Sequence, residues 1–143
     1  MFLWRISNYA TLDGVGGTLQ SARWHTVGRP IVYAADHPAS ALLEILVNFD
    51  VSLLPDTFQL LKIEVSAAVV PVRAELKPSW ISEVSVSRAI GDEWLAKHED
   101  LLMQVPSAIL PNVFNTLINP QHPDAGQLKI VDIQAVPLEA RLR

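Results

Sequence analysis

The stretch that decides the reading of this chain is Ser21–Phe49, "SARWHTVGRPIVYAADHPASALLEILVNF". Its first part carries glycine and proline and shows no period, which marks a loop. "IVYAA" (31–35) is rich in β-branched and aromatic residues and predicts a buried strand. Asp36–Ser40 supplies capping side chains and a proline near a helix start, and "ASALLEILVNF" (39–49) predicts a helix of about three turns. On that helix Ser40, Glu44 and Asn48 fall on one narrow polar stripe, and apolar residues cover every other direction. Such a helix is expected to be mostly buried. Glu44, alone among leucines, isoleucine and valine, faces either bulk water or a cleft.

Outward from this stretch, "FLWRI" (2–6), "FQLLKIEVS" (58–66), "AAVVPV" (67–72) and "QLKIVDIQAVPL" (127–138) predict strands. "LLMQVPSAIL" (101–110) predicts a strand that runs into a turn at Pro106–Ser107. Residues 11–30 predict an extended loop or an irregular strand pair. "SVSRAIGDEWLAKHED" (85–100) predicts a helix start interrupted by Gly91, then a short amphipathic helix from Glu93 to His98. Together these give an α+β fold in one domain spanning residues 1–143, a compact mixed or antiparallel sheet with a few helices. The alternation of a doubly wound sheet is missing. "DGVGGTL" offers Gly14-x-Gly16, but Leu19 occupies the third position of a dinucleotide fingerprint, which argues against that fold.

Composition narrows the function. A chain of 143 residues is long enough to bury a core, and with half of it apolar it reads as a compact globule. A net charge of −4 and the absence of a basic run give no case for nucleic-acid binding. With no cysteine there is no disulfide, thiolate nucleophile or cysteine-held metal. The histidines, at 25, 37, 98 and 122, lack ligand spacing, so no metal is expected. No apolar run reaches membrane-spanning length, and no basic segment precedes an apolar one at the start, so a cytoplasmic protein is expected.

Individually the polar residues stay ambiguous. Arg23 is a phosphate clamp or a surface arginine stacked on Trp24. Tyr33 is a core tyrosine or the wall of a site. Ser107 lacks the glycine context of a nucleophile elbow and reads as a turn serine or a ligand contact.

Taken in order, "ARWHTVGRPIVYAADHPASALLEILV", "GDEWL", "VPSAILP" and "NTLINPQHPD" resemble the RES domain, the toxin half of RES–Xre toxin–antitoxin systems, from about Leu3 to Val136. The family's dispersed arginine, tyrosine, glutamate and serine fall on Arg23, Tyr33, Glu44 and Ser107. Asn119–Pro120 and His122–Pro123 match its NP-x-HP turn. Ala22 and His25 depart from the Gly-Arg-Trp-Asn expected around the arginine.

The resemblance implies a fold similar to the ADP-ribosyltransferases and an enzyme that cleaves the nicotinamide–ribose bond of NAD. Arg23, Tyr33, Glu44 and Ser107 would be catalytic, and Arg23, Tyr33, Ser107 and Asn119 would bind NAD. NAD is then a substrate and no cofactor is needed, with water or inorganic phosphate as acceptor. Transfer of ADP-ribose to a protein is the alternative, and a non-catalytic antitoxin-binding module is another. The implied partner is an Xre-type antitoxin, met by a homodimer, with no membrane and no nucleic acid.

Overall fold

The structure, a computed structural model, describes residues 1–142. In chain order the elements are β1 (Phe2–Ile6), α1 (Val15–Leu19), β2 (Val32–Ala35), α2 (Pro38–Asn48), β3 (Thr57–Val65), β4 (Val72–Arg73), α3 (Val84–Lys97), β5 (Leu102–Pro106), β6 (Phe114–Ile118) and β7 (Leu128–Pro137). The strands form one seven-stranded sheet, ordered β4-β5-β6-β2-β1-β3-β7. Only β4 and β5 run parallel, and the remaining neighbours are antiparallel. The α+β mixed sheet expected from the sequence is what forms.

Side chains alternate across a strand, so register assigns them to faces. Tyr33 pairs with Leu117 and Ala35 with Asn115, and β5 places Met103 opposite Leu117 and Val105 opposite Asn115. These six therefore share a face. There Met103, Val105 and Leu117 pack with Trp24, Ile31, Trp94 and Leu95, the last two from α3. The other face carries Val32, Ala34, Leu102 and Ile118, buried with Leu3, Ile63 and Val65 and covered by loop residues such as Leu12 and Val69. Each large aliphatic side chain among them contributes about 1.5–3 kcal/mol through removal from water.

Between β1 and β2 the ladder holds a single pair, Trp4 with Ala35. Beside that pair the Arg5 guanidinium reaches across and donates to the Tyr33 carbonyl at 2.9 Å. A side-chain donor thus satisfies a backbone acceptor that the ladder leaves open.

Several local expectations differ from the structure. "AAVVPV" forms a strand only at its end, Val72–Arg73, because Pro71 removes a ladder donor. Residues 11–30 include the short helix α1 and one isolated bridge, Ala22 with His25. The strand β6, central in the sheet, lies in "FNTLI", which its sequence does not announce. On α2 only Ala41 is fully buried, and Val47 and Phe49 are 58% and 52% exposed, so this helix rides on the sheet rather than inside a core.

The helix α3 runs without interruption through Gly91. The glycine serves close approach: a Cβ there would overlap the Trp24 carbonyl oxygen. Around this contact α3 grips the Ala22–Thr26 loop. Ser87 Oγ donates to the Arg23 carbonyl at 2.6 Å, and Arg88 Nε donates to the Ala22 carbonyl at 2.8 Å. The Asp92 carboxylate accepts from the Thr26 amide at 2.9 Å and from its hydroxyl at 2.7 Å. It also pairs with Arg29 Nε at 3.2 Å.

Gly91→Ala is therefore expected to destabilise the fold although alanine favours helix, because the Cβ meets backbone that cannot yield. Overpacking of this kind costs about 1–3 kcal/mol. That lowers the thermal midpoint by about 2–4 °C per kcal/mol in a chain of this size. Gly16→Ala, where a Cβ meets nothing within 4 Å, is the control and should leave the midpoint nearly unchanged.

Candidate functional site

Glu44 and Ser40 are half-buried, whereas Asn48 on the same stripe of α2 is exposed. At the ends of β5 and β6 Glu44 Oε1 accepts from Ser107 Oγ at 2.9 Å and from Asn115 Nδ2 at 2.8 Å. Asn48, one turn on, donates to the Glu44 carbonyl at 2.8 Å and lies 3.4 Å from Oε2. Helix α2 is started by Pro38 and by the His37 ring, whose Nδ1 accepts from the Ala39 amide at 3.1 Å. Ser107 follows β5 directly, and its amide donates to the Val113 carbonyl at 2.8 Å. Its hydroxyl oxygen also accepts from the Ile109 amide at 3.1 Å, which fixes the rotamer facing Glu44. Ser107 and Asn115 are 6% and 8% exposed. A carboxylate with two side-chain donors on one oxygen is held in place, and the other oxygen keeps its acceptor capacity.

Arg23 is built into a second cluster. Its guanidinium lies 5.3 Å above the Trp80 ring, and Trp80 in turn stacks on Trp24 with centroids 5.5 Å apart. The arginine thus stacks on Trp80 rather than on the adjacent Trp24. One terminal nitrogen donates to the Trp80 and Ile81 carbonyls at 2.9 and 2.6 Å. Among the described residues no carboxylate lies within ion-pair distance of Arg23. Neutral carbonyls position the fork without cancelling its charge, the condition under which arginine binds an anionic group.

Tyr33 joins the two clusters. It stands two residues before Ala35, the register partner of Asn115, so it lies about 7 Å along the same sheet face. Its hydroxyl oxygen accepts from the Trp24 amide at 3.1 Å and sits 2.7 Å from His25 Nδ1. His25, 2% exposed, has Nε2 at 3.1 Å from the Gly17 carbonyl. A carbonyl only accepts, so Nε2 carries the hydrogen, and in the neutral ring Nδ1 accepts from the Tyr33 hydroxyl. The His25 departure thus ties the arginine loop to both β2 and α1. The link between Glu44 and Arg23 is the sheet face that lies between them, rather than a bond from one to the other.

Asn119 stands apart. It lies one residue past β6, four beyond Asn115 and hence about 13 Å from it along the strand. Fully buried, its Nδ2 donates to the Leu95 carbonyl and lies 3.3 Å from His98 Nδ1, while Oδ1 accepts from the Gln121 amide at 3.1 Å. These bonds fasten the turn after β6 to the end of α3. Asn115 is the member of the Glu44 cluster that the sequence reading passes over, because its strand has no clear period.

Two surface hollows lie elsewhere. One, of about 240 Å³, is lined by Gly28, Arg29, Pro30, Leu95 and His98 among others, and its arginine is already paired with Asp92. The other, of about 570 Å³, lies beside Glu64, Ser66 and Lys129, where Glu64 and Lys129 face each other in register. Neither joins a fixed carboxylate to an uncompensated arginine, so the chemistry favours the Glu44 face. No group of three or more metal-ligating side chains occurs among the described residues.

Burial pushes the Tyr33 phenol well above the ordinary tyrosine range, against the lowering effects of the Trp24 amide and Arg88. The native state then holds this proton more tightly than the unfolded chain does. Its contribution to stability is full below the unfolded value of about 10 and falls as pH rises beyond it. Tyr33→Phe leaves the Trp24 amide without its acceptor and should cost about 1–3 kcal/mol, read as a lower denaturant midpoint with unchanged slope. The gap between wild type and Tyr33→Phe should narrow as pH is raised from about 9 to about 11. A gap constant over that range would contradict the buried phenol.

Comparison with known proteins agrees with this architecture. The family model for the RES domain matches residues 2–140. A Pseudomonas putida KT2440 protein named Toxin Res is 46% identical over 136 residues, covering 91% of this chain and 92% of its own. A Sphingobium sp. YBL2 protein named Prs ADP-ribosylating toxin is 37% identical over 139 residues, covering 88% and 86%. A chain in the crystal structure of the M. tuberculosis MbcT–MbcA toxin–antitoxin complex shares the fold at a TM-score of 0.73 and 20% identity, covering 99% of this chain and 85% of its own. The chain belongs to the RES domain family.

Proposed function

We propose that this protein is the toxin of a toxin–antitoxin pair and acts by cleaving the nicotinamide–ribose bond of NAD. The observation that carries the reading is Glu44, fixed through Oε1 by Ser107 and Asn115, on the same sheet face as an arginine with no counter-charge among the described residues. The names of relatives support it: two are toxins, one of them ADP-ribosylating.

The chemistry asks little of a general acid. When the glycosidic bond breaks, its electron pair passes to the nicotinamide nitrogen, which is already cationic, and nicotinamide leaves neutral. The ribosyl carbon becomes oxocarbenium-like, and a fixed carboxylate beside it stabilises that charge. Glu44 takes this role through Oε2, which among the described residues has only the long Asn48 contact. Arg23 holds the pyrophosphate, and Trp80 keeps its fork flat and aimed. Tyr33 walls the nicotinamide end, and Ser107 acts by fixing Glu44 rather than by attacking. Asn119, with its amide fully engaged, supports the turn instead of touching NAD. Water attack then gives ADP-ribose, and phosphate attack gives its 1-phosphate. NAD serves as substrate, and an Xre-type antitoxin covering this face of a homodimer in the cytoplasm would restrain it.

A second reading, transfer of ADP-ribose to a protein, has in its favour the name of the Sphingobium relative. The site is compatible with either acceptor, since both reactions pass through the same cation.

Purified protein incubated with NAD should release nicotinamide, and added phosphate should change the product rather than abolish it. Glu44→Gln and Arg23→Ala should each lower the rate by about 10²-fold or more, the loss of one transition-state interaction. Absence of release with and without phosphate would sink the degradative reading. A full rate in Glu44→Gln would sink the role of Glu44. Labelled NAD whose label becomes fixed on a protein would favour transfer.

A further inference from the structure

The Glu44 carboxylate is held unevenly. Oε1 receives both close side-chain donors, Ser107 and Asn115, whereas among the described residues Oε2 has only Asn48 at 3.4 Å. Because a carboxylate only accepts, Asn115 must turn its NH₂ toward Glu44. Its carbonyl Oδ1 is then buried without a donor among the described residues. Native interiors rarely tolerate such an orphan acceptor, so where one persists the other half of the side chain has a use that outweighs it.

We infer that Asn115 is a positioning residue for the proposed reaction: its N–H saturates Glu44 Oε1 and thereby commits Oε2 to the ribose. Asn115 is fixed in its turn by the sheet, in register between Ala35 of β2 and Val105 of β5. Its donor therefore cannot follow Glu44 if the helix shifts. Ser107 alone, on the segment past β5, leaves the carboxylate free to rotate about one contact. The kinetic part of this inference rests on the NAD-cleaving reading, whereas the hydrogen bond itself does not.

Asn115→Asp tests it, because the two side chains have the same shape and differ in the donor. Two carboxylates in contact do not both stay charged, so the pair holds one proton. Glu44 keeps its Ser107 donor, whereas the introduced carboxyl has none, so the proton resides on the introduced group. Its O–H then donates where the amide N–H did. Nicotinamide release by Asn115→Asp should approach the wild-type rate at low pH. It should fall about tenfold per pH unit once the pair's proton is lost. Asn115→Ala should be slow at every pH and lack this slope.

Asn115→Asp with the wild-type pH profile, or parallel to Asn115→Ala, would overturn the inference. If wild type releases no nicotinamide, the proposed reaction fails instead, and the side-chain NH₂ resonances of Asn115 decide by NMR. In wild type the NH₂ proton bonded to Glu44 should be shifted and slow to exchange, and in Glu44→Ala, which removes the acceptor, both features should vanish. Resonances unchanged by Glu44→Ala would overturn the role of Asn115 independently of NAD.

Discussion

A half-buried carboxylate has to be supplied with donors, and this requirement at Glu44 organises the sheet end on which the rest of the site depends. Burial of an ion without hydrogen bonds is costly enough that the group would otherwise neutralise or turn outward. The donors come from Ser107 and Asn115, 63 and 71 residues away in sequence. They reach the same oxygen only because β5 and β6 are neighbours and β2, which leads into α2, pairs on the other side of β6. Strand order, the direction of α2 and the rotamer of Ser107 are thus one coupled arrangement.

The arginine is held by a separate device that converges on the same face. Helix α3 grips the loop backbone through Ser87, Arg88 and Asp92, with Gly91 permitting the close approach. From the sheet side, the Tyr33 hydroxyl holds the Trp24 amide and the His25 ring. Arg23 is therefore rigidly placed while its fork meets aromatic surface and neutral carbonyls. A fixed anion and a fixed cation without a counter-charge among the described residues, on one face, suit a ligand that carries diffuse positive charge at one end and phosphates further along. Charge complementarity of that sort serves orientation as much as affinity.

Much of this was legible in the chain because the informative signals were local. The β-branched and aromatic residues of "IVYAA" and the cap, proline and apolar run around "ALLEILV" specify β2 and α2, and the phasing of Ser40, Glu44 and Asn48 singles out the stripe from which Glu44 reaches the cluster. What stayed hidden was non-local. In "FNTLI" polar Asn115 and Thr116 precede Leu117 and Ile118, and no period-2 alternation forms, because this central strand is buried on both faces. Asn115 therefore gave no warning of its place beside Glu44. Gly91 read as a helix interruption, since propensity is blind to the Trp24 carbonyl that requires it. The apolar residues of α2 suggested deep burial, yet Val47 and Phe49 are exposed because none of the described residues covers that flank. For Arg23 the sequence leaves a phosphate clamp and stacking on the adjacent Trp24 open, and its aromatic partner, Trp80, is brought in by the turn before α3, 57 residues on.

The proposed function is spatial at its centre: one sheet face would bind NAD with its ribose at Glu44 and its pyrophosphate at Arg23. A crystal structure of the protein with a carbocyclic NAD analogue, whose ring oxygen is replaced by a methylene so that no oxocarbenium ion can form, tests this most directly. The account predicts a hydroxyl of the cyclopentane ring within hydrogen-bonding distance of Glu44 Oε2 and pyrophosphate oxygens on the Arg23 fork. An analogue seated in the hollow between Gly28, Leu95 and His98, with Glu44 and Arg23 untouched, would contradict it.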